Sequence, residues 1–194
     1  MTKTMKTDAA RLLDAASFAA DKHRDQRRKD VDATPYINHP LDVALILTEG
    51  GVEDVEVLMA GILHDTIEDT DTTAEELTER FGERVCGLVL EVTDDKDLEK
   101  LERKRLQVVK APTKSADAKM IKIADKLANL RDFKSPPVGW SEARIGAYIQ
   151  FSEMVARGCA GANEVLDRLI RECLDGFSIA AELSVDEPME GEPM

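Results

Sequence analysis

No stretch of this 194-residue chain approaches the ~20 consecutive apolar residues a membrane-spanning helix requires, and its N-terminus lacks the apolar core of a secretory signal. Cysteine is scarce as well. Cys86, Cys159 and Cys173 are odd in number, show no CxxC spacing and sit among apolar neighbours. That argues against a disulfide scaffold or a thiolate metal site and suits small buried hydrophobes in a reducing compartment. Positive charge is in deficit, with 26 basic against 39 acidic residues and a formal net charge of −13. Such a surface repels nucleic acid and anionic membrane, so a local basic cluster needs its own reason. Aromatic residues reach only 4%, and no segment alternates convincingly in the manner of a half-buried strand. The expectation is a soluble, cytoplasmic, all-α protein with neither nucleic acid nor membrane as a partner; composition leaves its oligomeric state, monomer or dimer, open.

What the chain does have is helical periodicity, in about nine segments. Asp8 opens the first, with Leu12, Leu13, Ala16, Ala19 and Ala20 as an apolar stripe. Pro40 suits the first turn of a second helix, which stops at Gly50-Gly51. A third, almost uninterruptedly apolar from Val55 to Leu63, reads as buried on all sides. Thr73-Ala74-Glu75-Glu76 is a capping box for a fourth helix ending near Gly82. A fifth carries Val85 to Val92, and a charged sixth runs from Leu98 to Lys110 with Leu101, Leu106 and Val109 on one side. Ser115, Ser141 and Asn163 cap the last three, which are expected to end at Asp132, about Cys159 and Gly176. From Phe177 on the periodicity is lost, and five acids and two prolines appear without a base. The expectation is one domain over 1–176 and a disordered acidic tail over 177–194.

Chemistry concentrates in His64-Asp65-Thr66-Ile67-Glu68-Asp69-Thr70, where the buried helix ends. Carboxylates there face the negative end of the helix dipole, and two of them ~4 Å apart repel by ~4 kcal/mol at an effective dielectric of ~20. A bound cation would compensate them; a helix merely emerging into water would too. Elsewhere, His39 stands at a helix entrance, and Asp125 lies inside the core-facing pattern of Ile121, Ile123, Ala124 and Leu127. An acid in such a stripe needs a partner. His39, His64, Asp65 and Asp125 then make a mixed imidazole and carboxylate set from three helices, suited to Mn²⁺, Fe²⁺ or Zn²⁺ rather than Ca²⁺. Lys22, Arg24, Arg27, Arg28 and Lys29 crowd the end of the first helix. They read as an anion site or, in part, as cations complementing a dipole.

A lone His, a His-Asp pair and a distant Asp, in that order, resemble the HD metal-dependent phosphohydrolases. HRDQRRKD (His23 to Asp30), TPYINHP (Thr34 to Pro40), HDTIEDT (His64 to Thr70), EVTDDK (Glu91 to Lys96), LERKRLQ (Leu101 to Gln107) and ADKLANLRD (Ala124 to Asp132) are similar to the (p)ppGpp hydrolase branch of the RelA/SpoT family, above all to its small stand-alone alarmone hydrolases. The resemblance implies Mn²⁺ held by His39, His64, Asp65 and Asp125, with Glu68 and Asp69 activating and positioning the attacking water. It implies a nucleotide site lined by Arg28 and Lys29, with contacts from Asn129 and Tyr148. Lys100 and Arg103 are further candidates for the distal phosphates, though they also read as solvated charges, and Tyr148 also reads as a core aromatic. The implied activity is release of the 3′-diphosphate of ppGpp and pppGpp as pyrophosphate. Removal of the 2′-phosphate of NADPH is the alternative; a non-catalytic alarmone-binding module is a lesser one, disfavoured because every ligand and both acids are present.

Overall fold

The computed structural model describes residues 7–134 and 137–185, with the side chains of 134 and 178–185 excepted. Ten α-helices make up the described chain: α1 (Asp8–Lys22), α2 (Asn38–Glu49), α3 (Val55–Leu63), α4 (Thr66–Asp69), α5 (Ala74–Phe81), α6 (Glu83–Val92), α7 (Lys100–Lys110), α8 (Ala116–Arg131), α9 (Glu142–Cys159) and α10 (Glu164–Val185). The nine expected helices are all present; the addition is α4, a single turn inside the His64 to Thr70 segment. No strand occurs among the described residues, only an isolated antiparallel bridge between Arg27 and Pro35. None of the helices is long and apolar enough to cross a membrane.

Capping sets the helix starts. The Thr7 and Ser115 hydroxyls accept from the amides of Ala10 and Ala118 at 3.2 Å, and Ser141 does the same for Arg144 at 3.3 Å. Asn163 Oδ1 accepts from both Val165 and Leu166 at 3.0 Å. Each such cap satisfies a donor that the first helical turn leaves without a partner, worth about 1 kcal/mol.

Two helices form the centre. In α3 every residue from Val57 to Leu63 is buried, and α8 is buried continuously from Ile121 to Ala128. The first packs on α1, α2, α6 and α8, the second on α2, α3, α6, α9 and α10. Both are therefore hemmed in on several sides; α3 answers with a sequence apolar nearly all round, whereas α8 buries Lys122, Asp125 and Lys126 along with its apolar residues. Ala15, Phe18 and Ala19 of α1 and Val43, Ile46 and Leu47 of α2 complete that core.

Three expectations need correction. The apolar residues of α7 do not seal a core face: no residue of that helix is buried, and Leu101 is 82% exposed. Leu13 likewise points outward, at 71%. Gly176 does not end the last helix, which crosses the expected domain boundary and runs to Val185. Its apolar pattern continues past the glycine, because Leu174 and Phe177 both pack against the core and Phe177 meets Phe133 with ring centres 6.2 Å apart. That burial outweighs the ~1 kcal/mol a helical glycine costs. The remainder of the expected tail, 186–194, lies outside the described residues.

Candidate metal centre

Three helices converge on one point. His39 is the second residue of α2, His64 caps the C-terminus of α3, and Asp125 sits mid-way along α8. One ligand atom from each lies within 4.8 Å of the others, and all three residues are buried. His39 Nε2 is 3.3 Å from Asp125 Oδ1, and the two imidazole rings have centres 5.3 Å apart. Asp65 stands beside the trio: its Oδ2 is 3.1 Å from His64 Nε2 and 3.8 Å from His39 Nε2.

These residues fit a divalent cation. His64 Nδ1 lies 2.9 Å from the Gly61 carbonyl oxygen, which can only accept, so Nδ1 carries a proton and Nε2 is left as the ligand atom. That Nε2 is buried and makes no hydrogen bond of acceptable geometry. Two imidazoles and two carboxylates are the donor set of a borderline metal. Electrostatics point the same way. Burial pulls the His64 imidazole down, but the Asp65 and Asp125 carboxylates outweigh it and push it up to about 9. Burial opposes ionisation of Asp65 and Asp125, yet His64 beside the first, and Lys126 and His39 beside the second, hold both well below the usual range. Metal-free, the site thus collects a proton where a cation would sit.

The two further acids occupy α4. Burial raises the Glu68 carboxyl; the Asp94 amide, which donates to Glu68 Oε2 at 3.0 Å, works against this, while the Asp65 and Asp94 charges add to it. Asp69 is clamped from two sides, accepting from Lys96 at Oδ1 and from Gln26 Nε2 at Oδ2, the latter at 2.9 Å. Tyr36 donates to Asp65 Oδ2 at 2.5 Å. Gln26 and Tyr36 belong to one loop, closed by hydrogen bonds from the Arg28 amide to Thr34 at 2.8 Å and from the Tyr36 amide to Gln26 at 3.1 Å.

Two cavities adjoin here. One of about 170 Å³ holds the His39 and Asp125 side together with Glu68, Lys122 and Lys126. The other, about 300 Å³, is lined by Arg28, Lys29, Phe133, Trp140 and Tyr148 among others. Tyr36, Asp69 and Asn129 belong to both. Asn129 ties them together, since its Nδ2 donates to Asp125 Oδ1 at 2.7 Å while its Oδ1 accepts from Arg28 at 2.9 Å. The basic cluster divides: Arg28 also pairs with Asp132 and lies 5.8 Å over the Tyr36 ring, whereas Lys22 is taken by Asp71 and Glu76, and Arg24 by Asp21. Lys29 is exposed at the rim of the larger cavity. Arg103 lines a third cavity of about 150 Å³ that shares Asp94 and Gln107 with the metal side, while the exposed Lys100 lines none of the three. Sequence reasoning missed Gln26, Tyr36, Lys126, Asp132 and Trp140. Gln26, Tyr36, Lys126 and Asp132 stand inside the motif segments and were open to notice; Trp140 follows a turn without periodicity and gave no signal.

A model of the HD domain matches residues 15–145. Over 173 residues the chain is 54% identical to the Mus musculus protein named guanosine-3′,5′-bis(diphosphate) 3′-pyrophosphohydrolase MESH1, covering 88% of this chain and 97% of that one. The Homo sapiens protein of that name is 56% identical over 169 residues, 86% of this chain and 94% of its own. A solved structure described as "A metazoan ortholog of SpoT hydrolyzes ppGpp and plays a role in starvation responses" superposes with a TM-score of 0.86 at 45% identity, over 91% of this chain and 99% of the other.

Proposed function

The chain belongs to the HD-domain family, and from that premise we propose that it is a guanosine-3′,5′-bis(diphosphate) 3′-pyrophosphohydrolase. One water and ppGpp give GDP and pyrophosphate, and pppGpp gives GTP in the same way. The convergence of His39, His64 and Asp125 within 4.8 Å, beside a cavity of about 170 Å³ that shares Tyr36, Asp69 and Asn129 with one of about 300 Å³, is the observation that carries this reading.

His39, His64, Asp65 and Asp125 hold the cation, for which we propose Mn²⁺. When bound, a divalent cation polarises a phosphoryl oxygen and makes water more acidic. The chain's own groups do the rest. Glu68, with its raised carboxyl, accepts the proton from the attacking water. Asp69, gripped by Gln26 and Lys96, orients that water. Lys122 and Lys126 border the same cavity and offset charge that grows on the phosphoryl oxygens. Arg28 presents a planar guanidinium to the purine, held by Asn129 and Asp132, and Lys29 adds a flexible charge at the rim. Tyr148 closes the cavity wall; Arg103, in the neighbouring cavity, is the candidate for the outlying phosphates, and Lys100, which borders none of the cavities, drops out of this reading. The reducing cytoplasm suits a chain in which Cys86, Cys159 and Cys173 form no disulfide.

The test is direct. Mn²⁺-loaded protein incubated with ppGpp should release GDP and pyrophosphate in equal amounts, and faster than it dephosphorylates NADPH at matched concentration. Asp125→Asn should lose most of its bound metal and its turnover while keeping its helical circular dichroism. Full metal occupancy in that variant would overturn the ligand assignment.

A further inference from the structure

Glu68 stands at the end of a line of contacts that begins on another helix. Its Oε2 accepts from the backbone amide of Asp94 at 3.0 Å, and its Oε1 has the Arg103 guanidinium 4.0 Å away, the outer limit of an ion pair. A backbone N–H lies in its peptide plane and cannot turn toward an acceptor as a side chain can. The direction of this donor is therefore set by whatever fixes the peptide. Asp94 belongs to the connection between α6 and α7, residues 93–99, which contains neither helix nor strand. No ladder holds it, so caps and side chains must.

The root of the connection is tied down. The Thr93 amide and hydroxyl both donate to the Val89 carbonyl, at 3.0 and 2.8 Å, and Glu91 accepts from the Ser115 amide and hydroxyl at 2.6 and 2.7 Å. Beyond the root, the Asp94 carboxylate accepts from Gln107 Nε2, which reaches it from α7. A carboxylate can only accept, so the Gln107 amide keeps its Nε2 toward Asp94 and its Oε1 away from it. That Oε1 is buried and has no partner among the described residues. A buried amide satisfied at one end lowers stability, and a leucine of similar size would avoid the loss. Packing does not explain the residue either, since no residue of α7 is buried. What Gln107 supplies is its hold on Asp94, at the boundary between the metal-side cavity and the cavity of Arg103.

We propose that Gln107 is a positioning residue: by gripping the Asp94 side chain it fixes the Asp94 amide, and that amide aims the Glu68 carboxylate at the attacking water. This rests on the hydrolytic reading above. Gln107 touches neither the metal ligands nor the nucleotide in this role and acts only through Asp94. Lys96 reaches Asp69 from the same connection, so a hold on 93–99 steadies both acids of α4.

The experiment compares the Mn²⁺-loaded full chain with Gln107→Leu, Asp94→Ala and the double variant. Gln107→Leu should lower kcat for ppGpp about tenfold, as a displacement of under ~1 Å can do, with KM within about twofold of the original and full metal content. Its melting temperature should be no lower, because the half-satisfied amide is gone. In the Asp94→Ala background the same substitution should change kcat by less than about twofold, since the link is already broken. Hydrogen exchange read by mass spectrometry should speed up at least about fivefold over 93–99 in Gln107→Leu. A kcat within twofold of the original, a loss that repeats in full in the Asp94→Ala background, or a lowered melting temperature with unaltered exchange would overturn the proposal. If no form cleaves the nucleotide, the functional reading falls, and the exchange arm, which needs no turnover, still decides whether Gln107 holds the Asp94 amide.

Discussion

Gln26 Nε2 donates to Asp69 Oδ2 at 2.9 Å, and the same amide's Oε1 sits 2.7 Å from Nδ1 of the buried His23. A carboxylate can only accept, so the amide orientation is determined and His23 must donate from Nδ1. Asp69 is thereby aimed by a side chain anchored in another part of the chain. Gln26→Leu keeps the bulk and removes the grip. It should lower kcat for ppGpp by about 10–100-fold, as expected when a reacting group drifts by ~1 Å, with full metal content and a smaller change in KM. A kcat within twofold of the original would show that Lys96 alone suffices.

Glu68→Gln separates chemistry from binding. It removes the proton acceptor but keeps the shape, so metal and nucleotide affinity should hold while turnover falls by about 100-fold or more. A loss under threefold corresponds to less than ~1 kcal/mol of barrier and would remove Glu68 from the chemistry. Because burial and the Asp65 charge raise its carboxyl, the acid limb of kcat should lie above the ordinary glutamate range.

Removal of the metal should make stability fall with rising pH. The His64 imidazole of the metal-free protein titrates at about 9 rather than 6.5. A group raised on folding contributes its full stability below its unfolded value and loses it as pH climbs through the folded one. Melts of the stripped protein should therefore show this contribution at pH 6.5 and its loss by pH 9. The same proton must leave for the metal to bind, so metal affinity should increase across that window. Proton release, read from binding heats in buffers of different ionisation enthalpy, checks this directly.

Arg28→Lys keeps the charge but loses the planar fork that meets Asn129 and Asp132. It should raise KM for ppGpp several-fold, and the double variant Arg28→Ala with Lys29→Ala by tenfold or more, both with full metal content. Unchanged KM in the double variant would return this pair to the solvent-facing role that Arg24 has.

Away from the site, Gly158→Ala tests the packing of α9. A Cβ there would meet the Ala111 Cβ at 2.7 Å and the Pro112 ring at 3.2 Å, neither of which is a flexible chain end. The expected cost is about 1–3 kcal/mol, measured by urea unfolding, with metal content preserved.

The sequence by itself determined the helices and pointed to the residues that meet at the candidate centre, His39, His64 and Asp125. Periodicity, caps such as Ser115 and Asn163, and the isolated acid in the apolar stripe of α8 are written within a few turns of chain, so they are legible without knowing what packs where. Partnership across the fold is not. Arg28 and Lys22 occupy the same basic run, yet the first reaches Asp132, 104 residues away, and the second Asp71, 49 residues away. Only the crossing of α1, α3 and α8 decides which of them faces a cavity. Trp140 joins the same cavity from a turn with no pattern of its own, and Gly176 stays helical because Phe177 finds the core. In each case the deciding energy is contact between residues distant in sequence, and local propensity yields to it.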